Sequence, residues 1–341
     1  MSPPFRRRWT LSGFAAGGLL VLLLPLPSPA QEWLTLRGQN DEAAAGQPAN
    51  YLQYEPQNVP LPDPPPEPLP YSAPPAADEA CTPAARTLPP IAPYGTQFVM
   101  TWNSGSGDGL GITTFDVRQT LVFPRVTGLM LTPGIAAHSL NGPLMTDLPP
   151  AVYDMWAEVR WLKKLNDRWM LDLVVTPSYF SDFENKTADA FRMPSRAIAL
   201  WNTTPELQLA FGVINFDRED ISWLPAAGLI WTPNDLYKIE VLFPRPRVMR
   251  KLSETDRETR WIYAGGELGG GSWAIRRDDG TDDIFTYSAL RFLIGYETKR
   301  KEGFSPRVEA GYLFNRSVEY ESGVGDYDPD SAFLLRVGGS F

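Results

Sequence analysis

From Gln97 onward the chain alternates apolar with polar residues, and its final residue sits on the apolar side of the last alternating run: Phe333, Leu335, Val337, Gly339 and Phe341 share one face. Alternation of this length is the mark of a strand with one buried face. It recurs along the chain. Tyr153, Met155, Ala157, Val159 and Trp161 oppose Asp154, Glu158 and Arg160, with Trp156 interrupting the polar side. Trp169, Leu171, Leu173 and Val175 oppose Arg168, Met170, Asp172 and Val174. Tyr237, Ile239, Val241 and Phe243 oppose Lys238 and Glu240, and Val308, Ala310, Tyr312 and Phe314 oppose Arg307, Glu309, Gly311 and Asn315. No segment after residue 97 carries a helical period.

The pattern predicts strands at 96–103, 112–123, 128–138, 150–163, 167–180, 194–203, 206–216, 223–232, 236–243, 246–252, 259–277, 284–297, 304–320 and 331–341. The pair at 236–243 and 246–252 is short and weakly patterned, so the count is twelve or fourteen. Gly269, Gly270 and Gly271 predict a bend or a split within 259–277.

A soluble sandwich and a membrane barrel both alternate. Charges of opposite sign on the polar face, such as Glu158 with Arg160, suit either a lumen or a solvated sheet. Aromatic residues at strand ends favour the barrel: Trp161 and Trp169 bracket 163–167, and Trp231 and Tyr237 bracket 233–235. Amphipathic rings match the lipid–water boundary. The terminal run Phe333, Leu335, Val337 and Phe341 matches the signal by which outer-membrane barrels are recognised by the assembly machinery. An open sheet in lipid leaves unpaired backbone groups, so the strands must close. The expected fold class is therefore all-β, a closed antiparallel transmembrane β-barrel with an even strand number of 12–14, spanning 96–341. An even number puts both ends on one side. Short connections then face the periplasm, and the longer ones at 139–149, 181–193, 278–283 and 321–330 face outside. The connection at 244–245 is too short for a comfortable outer loop.

The segments before residue 96 read differently. Arg6, Arg7 and Arg8 precede an apolar run from Gly13 to Leu26, and Ser28 and Ala30 suit a cut between Ala30 and Gln31. That order is an export signal peptide over 1–30. The next segment, 31–95, holds 15 of the 34 prolines and shows no apolar period, so it is expected to be a disordered periplasmic spacer. The single cysteine, Cys81, lies there, which excludes a disulfide framework. A formal charge of −9 gives no overall basic footprint for nucleic acid.

Leu224 to Asp235, followed by Val241 to Arg247, resembles an uncharacterised family of bacterial outer-membrane β-barrels of the planctomycete type. So do Gly265 to Ile275, Val308 to Tyr312 and Leu334 to Gly338. The resemblance spans roughly 97–341 and implies fold and location, with no reaction or ligand.

The sole histidine, His138, is expected near an outer strand rim, and strand neighbours His138 and Ser139 point to opposite faces, so no catalytic residue is expected. Asp326, Asp328 and Asp330 alternate in an outer loop and are candidates for calcium; no other metal and no cofactor is expected. Asp154, Glu158, Arg160, Arg168, Asp172, Lys238, Glu240, Arg260, Arg307 and Glu309 are expected to face the lumen, either as the lining of a channel or as a salt-bridged plug. The leading reading is a passive pore for small solutes. The alternatives are a closed-lumen barrel with a structural or adhesive role and a secreted carbohydrate-binding sandwich. Expected partners are outer-membrane lipid, the assembly machinery and, through the spacer, the cell-wall layer.

Overall fold

The computed structural model describes residues 90–105, 109–143, 146–219 and 222–341. The signal peptide, its cleavage site, nearly all of the proline-rich spacer and Cys81 lie outside the described residues.

Sixteen strand segments run β1 (Ala92–Asn103), β2 (Gly111–Val122), β3 (Leu129–Asn141), β4 (Ala151–Lys164), β5 (Trp169–Val175), β6 (Ser178–Ser181), β7 (Phe191–Arg192), β8 (Ser195–Asn202), β9 (Leu207–Asn215), β10 (Trp223–Asn234), β11 (Tyr237–Leu242), β12 (Arg247–Glu254), β13 (Glu258–Arg276), β14 (Asp282–Arg300), β15 (Ser305–Tyr320) and β16 (Ala332–Ser340). β5 and β6 both pair with β4 and form one stave interrupted at Pro177. β7 and β8 form another, interrupted at Pro194. Proline has no N–H to give to a ladder, which is why both breaks fall there. The staves number fourteen and close antiparallel, with β16 returning to β1 and β12 meeting β13. β1 begins four residues earlier than the alternation indicated, taking Ala92 to Gly95 from the end of the expected spacer.

Side chains alternate across this wall as a pleated strand requires. Phe98, Met100 and Trp102 point outward, as do Phe115 and Val117, Met155 and Val159, Ile294 and Tyr296, and Phe333, Leu335 and Val337. Their inward neighbours are buried and mostly polar, among them Gln97, Thr101, Asp116, Arg118, Asp154, Glu158 and Glu309. Rings mark both rims of the apolar belt. Trp161, Trp169, Trp231, Tyr237 and Phe341 lie at the short-turn end, and Trp102, Phe191, Trp223 and Phe333 at the long-loop end. Trp169 stacks on Trp201 with centroids 5.7 Å apart.

One part of the wall departs from this plan. The β11–β12 hairpin is short: its ladder with β10 starts only at Gly228↔Leu242, and its ladder with β13 ends at Arg247↔Gly265. Beyond Gly265, among the described residues, the β12 side of β13 keeps one ladder-like bond, from the Gly266 N–H to Pro246 O at 2.9 Å. It leaves the wall and crosses to the far side, where Ala274 pairs in parallel with Ser181 of β6. In consequence Glu267 to Ile275 of β13 and Asp283 to Arg291 of β14 are buried on both faces. One face of this inner hairpin, with Trp273, Phe285 and Tyr287, packs among Leu110, Leu140, Val152 and Val318. The other, with Leu268 and Leu290, joins Ile198, Ala210, Ile214, Phe216 and Ala226. The hairpin thus partitions the long-loop half of the lumen. The glycine triplet, where a bend was expected, lies inside the crossing segment, with Gly270 at φ +125.

Candidate functional site

A barrel wall supplies inward side chains from every second position, so the interior is where chemistry can gather. At the waist, Glu267 on β13 accepts from Arg291 Nη1 at 2.6 Å and Arg336 Nη2 at 3.0 Å, and Arg245 Nε lies 3.2 Å from its second oxygen. Glu309 on β15 accepts from Arg336 Nη1 at 2.8 Å, Arg245 Nη2 at 3.0 Å and the Tyr263 hydroxyl at 2.5 Å. Arg336 is 2 % exposed and also donates to Thr101. Two carboxylates and three guanidiniums therefore form one cage that ties β1, β13, β14, β15 and β16 to the turn before β12.

A second cluster lies between β4, β5 and β8. Asp172, fully buried, accepts from Arg160 Nε at 2.7 Å and Arg196 Nε at 3.3 Å. Near the short-turn end Glu240 is paired with Arg247 and, at 3.1 Å, with Lys238. Asp116 and Arg118 pair with each other on β2, and the Arg118 guanidinium lies 5.4 Å over the Trp156 ring. Planar guanidinium forks suit such cages because each can meet two carboxylates at once.

Most lumen residues expected from the sequence are inside. Asp154, Glu158, Arg160, Asp172, Glu240, Arg307 and Glu309 are buried, and Lys238 is half-buried beside Glu240. Two are not. Arg168 is exposed in the turn after β4, because that turn ends the β5 alternation one residue before Trp169. Arg260 is also exposed and pairs with Glu258; it shares its side of β13 with the outward Ile262, while Trp261 and Tyr263 point in. Arg245, Arg247, Glu267, Arg291 and Arg336, absent from the residues that the sequence marks for the lumen, carry much of the network. Arg245 and Glu267 sit in proline- and glycine-rich stretches, where alternation is broken.

His138 is inside the barrel, not at its rim. Its Nδ1 lies 2.9 Å from Thr114 Oγ1 and its Nε2 3.0 Å from Asp154 Oδ2. The other Asp154 oxygen accepts from the Trp273 indole N–H at 2.5 Å, and the two rings meet edge to face. Since Trp273 is on the inner hairpin, this chain of bonds joins β2, β3 and β4 to the partition. Further contacts fasten the hairpin's tip. Asp182 N–H donates to Ala274 O at 3.1 Å, Asn185 Nδ2 to Ile275 O at 3.0 Å, and Arg276 N–H to Asp182 Oδ2 at 2.7 Å.

The acidic loops do not gather. Among the described residues no three acidic or metal-ligating side chains converge. Asp326 caps the Tyr320 N–H at 2.7 Å, and Asp330 offers its backbone carbonyl to Arg316. Asp279 turns to Thr281, whose N–H and hydroxyl hold its carboxyl below the usual carboxylate range.

Fold and interior together define a closed fourteen-stave barrel with a lipid-suited outer face and a charged, occluded inside. Within that class, residues 145–324 match the family described as Domain of unknown function (DUF6268), and the chain belongs to that family. No curated protein matches. Similar solved structures include the KdgM porin, at 10% identity over 72% of this chain and 99% of that chain with a TM-score of 0.34. The NanC porin is 13% identical over 72% of this chain and 98% of that chain, with a TM-score of 0.35. An outer membrane channel from Pseudomonas putida F1 is 12% identical over 75% of this chain and 97% of that chain, also with a TM-score of 0.35.

Proposed function

We propose that this protein is a porin-like outer-membrane barrel that passes small solutes and rests closed. The observation that carries the reading is the split of the wall into an apolar outer face and an inner face rich in arginine and carboxylate. A fold whose sole task was to stand in the membrane would be served more cheaply by an apolar interior, since buried ion pairs contribute little net stability. Charged groups at a constriction, by contrast, set which solutes pass.

Export by the expected signal peptide supports an outer-membrane location. The outward-facing Phe333, Leu335, Val337 and Phe341 support handling by the assembly machinery. The spacer leaves room for a contact with the cell-wall layer.

Planar-bilayer recording of the refolded full chain tests the reading. Discrete conductance steps are expected, with long closed intervals. A second reading, a permanently closed barrel with a structural role, is favoured by the near-complete burial of the waist cage. Absence of steps under every voltage and solute tried would replace the first reading with the second.

A further inference from the structure

Among the described residues two strand edges flanking one gap in the wall lack a full ladder: that of β10, which stays in the wall, and that of β13, which has left it. Trp223 to Ala227 of β10 pair with β9 on one side, and no strand meets their other side among the described residues. Gly266 to Arg276 of β13 pair with β14 on one side and, on the other, form one bridge, Ala274↔Ser181. The gap between them lies above the short β11–β12 hairpin. β13 ascends from the short-turn end and β10 descends toward it, so the two edges run antiparallel. The level is that of the apolar belt, since Phe211 and Val213 of the adjacent β9 are exposed there. A backbone edge open to lipid is costly, at several kcal/mol for each unsatisfied group.

On this basis we propose that the long-loop half of β13 is a gate with two closures: the observed one, in which its edge meets β6 across the lumen, and an open one, in which it swings back to pair antiparallel with the free edge of β10. The proposal rests on the channel reading above and names what moves within it.

The local structure suits such an exchange. Gly269, Gly270 and Gly271 lie between the wall-paired part of β13 and the fastened tip. Gly270 takes φ +125, open to glycine, and a Cβ at Gly271 would stand 2.4 Å from the Trp273 ring, so bare backbone suits the place where the strand turns inward. On the other side of the hairpin, the β14–β15 ladder shifts register between Ser288 and Leu290, opposite Asn315 at φ +48. The sheet can flatten or curl at these two places without breaking the β13–β14 ladder. The tip is held by discrete polar contacts that an outward swing must release: Trp273 to Asp154, the Ser181 bridge, the contacts of Asp182 and Asn185, Arg277 donating to Thr146 O at 3.1 Å and to Ser322 at 3.3 Å, and the Asp278 N–H on Asp147. In the swung position β13 exchanges its β6 bridge and these tip contacts for a β10 ladder, which satisfies both edges and clears the long-loop half of the lumen.

The test uses the full chain with Cys81→Ser and the pair Ser181→Cys and Ala274→Cys. These positions face each other in the observed bridge, within the Cα separation a disulfide tolerates. Oxidation should cut the open fraction in bilayers at least tenfold, and reduction should restore it. Separately, Trp273→Phe should raise the open fraction about tenfold with the barrel's heat-modifiable gel migration kept. A readout independent of current is maleimide labelling of Leu293→Cys, an inward and buried position, in the same cross-linked chain. The membrane-impermeant reagent should react at least tenfold faster after reduction. Labelling that switches with no current in any state would uphold the gate and sink the channel reading. Current and labelling unchanged between oxidised and reduced chains would overturn the gate and leave the channel. Failure of the folded pair to cross-link would show that the β6 closure is not populated and would overturn the gate as well.

Discussion

The two halves of this barrel are built from the same strands but obey different rules. In the short-turn half each stave has one face to lipid and one to the lumen, as in Val159 against Arg160 on β4 or Val308 against Arg307 on β15. In the long-loop half β13 and β14 have lipid on neither side, and their buried runs, from Glu267 to Ile275 and from Asp283 to Arg291, mix aromatic, small and charged residues without alternation. A strand in the wall is read by solvent on one side and lipid on the other. A strand folded into the lumen is read only by its neighbours. The difference shows that the barrel is closed by two kinds of core, an ion-pair cage at the waist and an apolar partition above it.

Breaking the cage should have the largest effect. Glu267→Ala leaves Arg291, Arg336 and Arg245 without a shared carboxylate in a site closed to water. Removing one member of a buried charge set costs about 3–5 kcal/mol. Denaturant midpoints of the lipid-refolded barrel, read by gel migration, should fall accordingly. Charging the lipid face of the regular half comes next. Ile294→Arg, at a half-exposed position of the belt, should destabilise insertion by about 2–4 kcal/mol, as cations do near the midplane. The same measurement in vesicles checks it.

A smaller loss is expected in the partition. Trp273→Phe keeps the ring packing on Phe285 but removes a hydrogen bond to a carboxylate, worth about 1.5–3 kcal/mol. Hydrogen exchange should then speed up around Ala274 and Ile275 and leave the waist protected; uniform acceleration would mean the two halves are one cooperative unit. Least of all, Asp167→Asn at the short-turn surface removes an exposed contact with Lys164. Such pairs contribute little, so no change in midpoint is expected. The Lys164 hydrogen bond holds the Asp167 carboxyl below the usual range, so whatever it adds is present at neutral pH and fades as pH falls through that lowered value.

The regular half was legible because burial on one face leaves a period-two record. All fourteen expected strands overlap observed strand segments, and the weakly patterned pair 236–243 and 246–252 is the short β11–β12 hairpin. The connection judged too short for an outer loop is where that hairpin stops partway up the wall, leaving the gap above it. Where alternation is unbroken, as at Asp154, Glu158 and Arg160 on β4, the charged residues are buried. At strand ends the pattern fails: Arg168 falls in a turn and Arg260 on the outward side. His138 looked like a rim residue because nothing in its own strand points to Asp154 or to Trp273, which lies 135 positions away.

What the sequence by itself determined is the alternation and the aromatic rims, and with them a closed antiparallel barrel. Those are local patterns, each set by which side of a single strand meets lipid. Only the tertiary structure decided that β13 leaves the wall, that Glu267 and Glu309 share three arginines, and that Trp273 reaches Asp154 across the lumen. These depend on which staves stand opposite one another once the sheet closes, and no single strand carries a record of what faces it across the lumen.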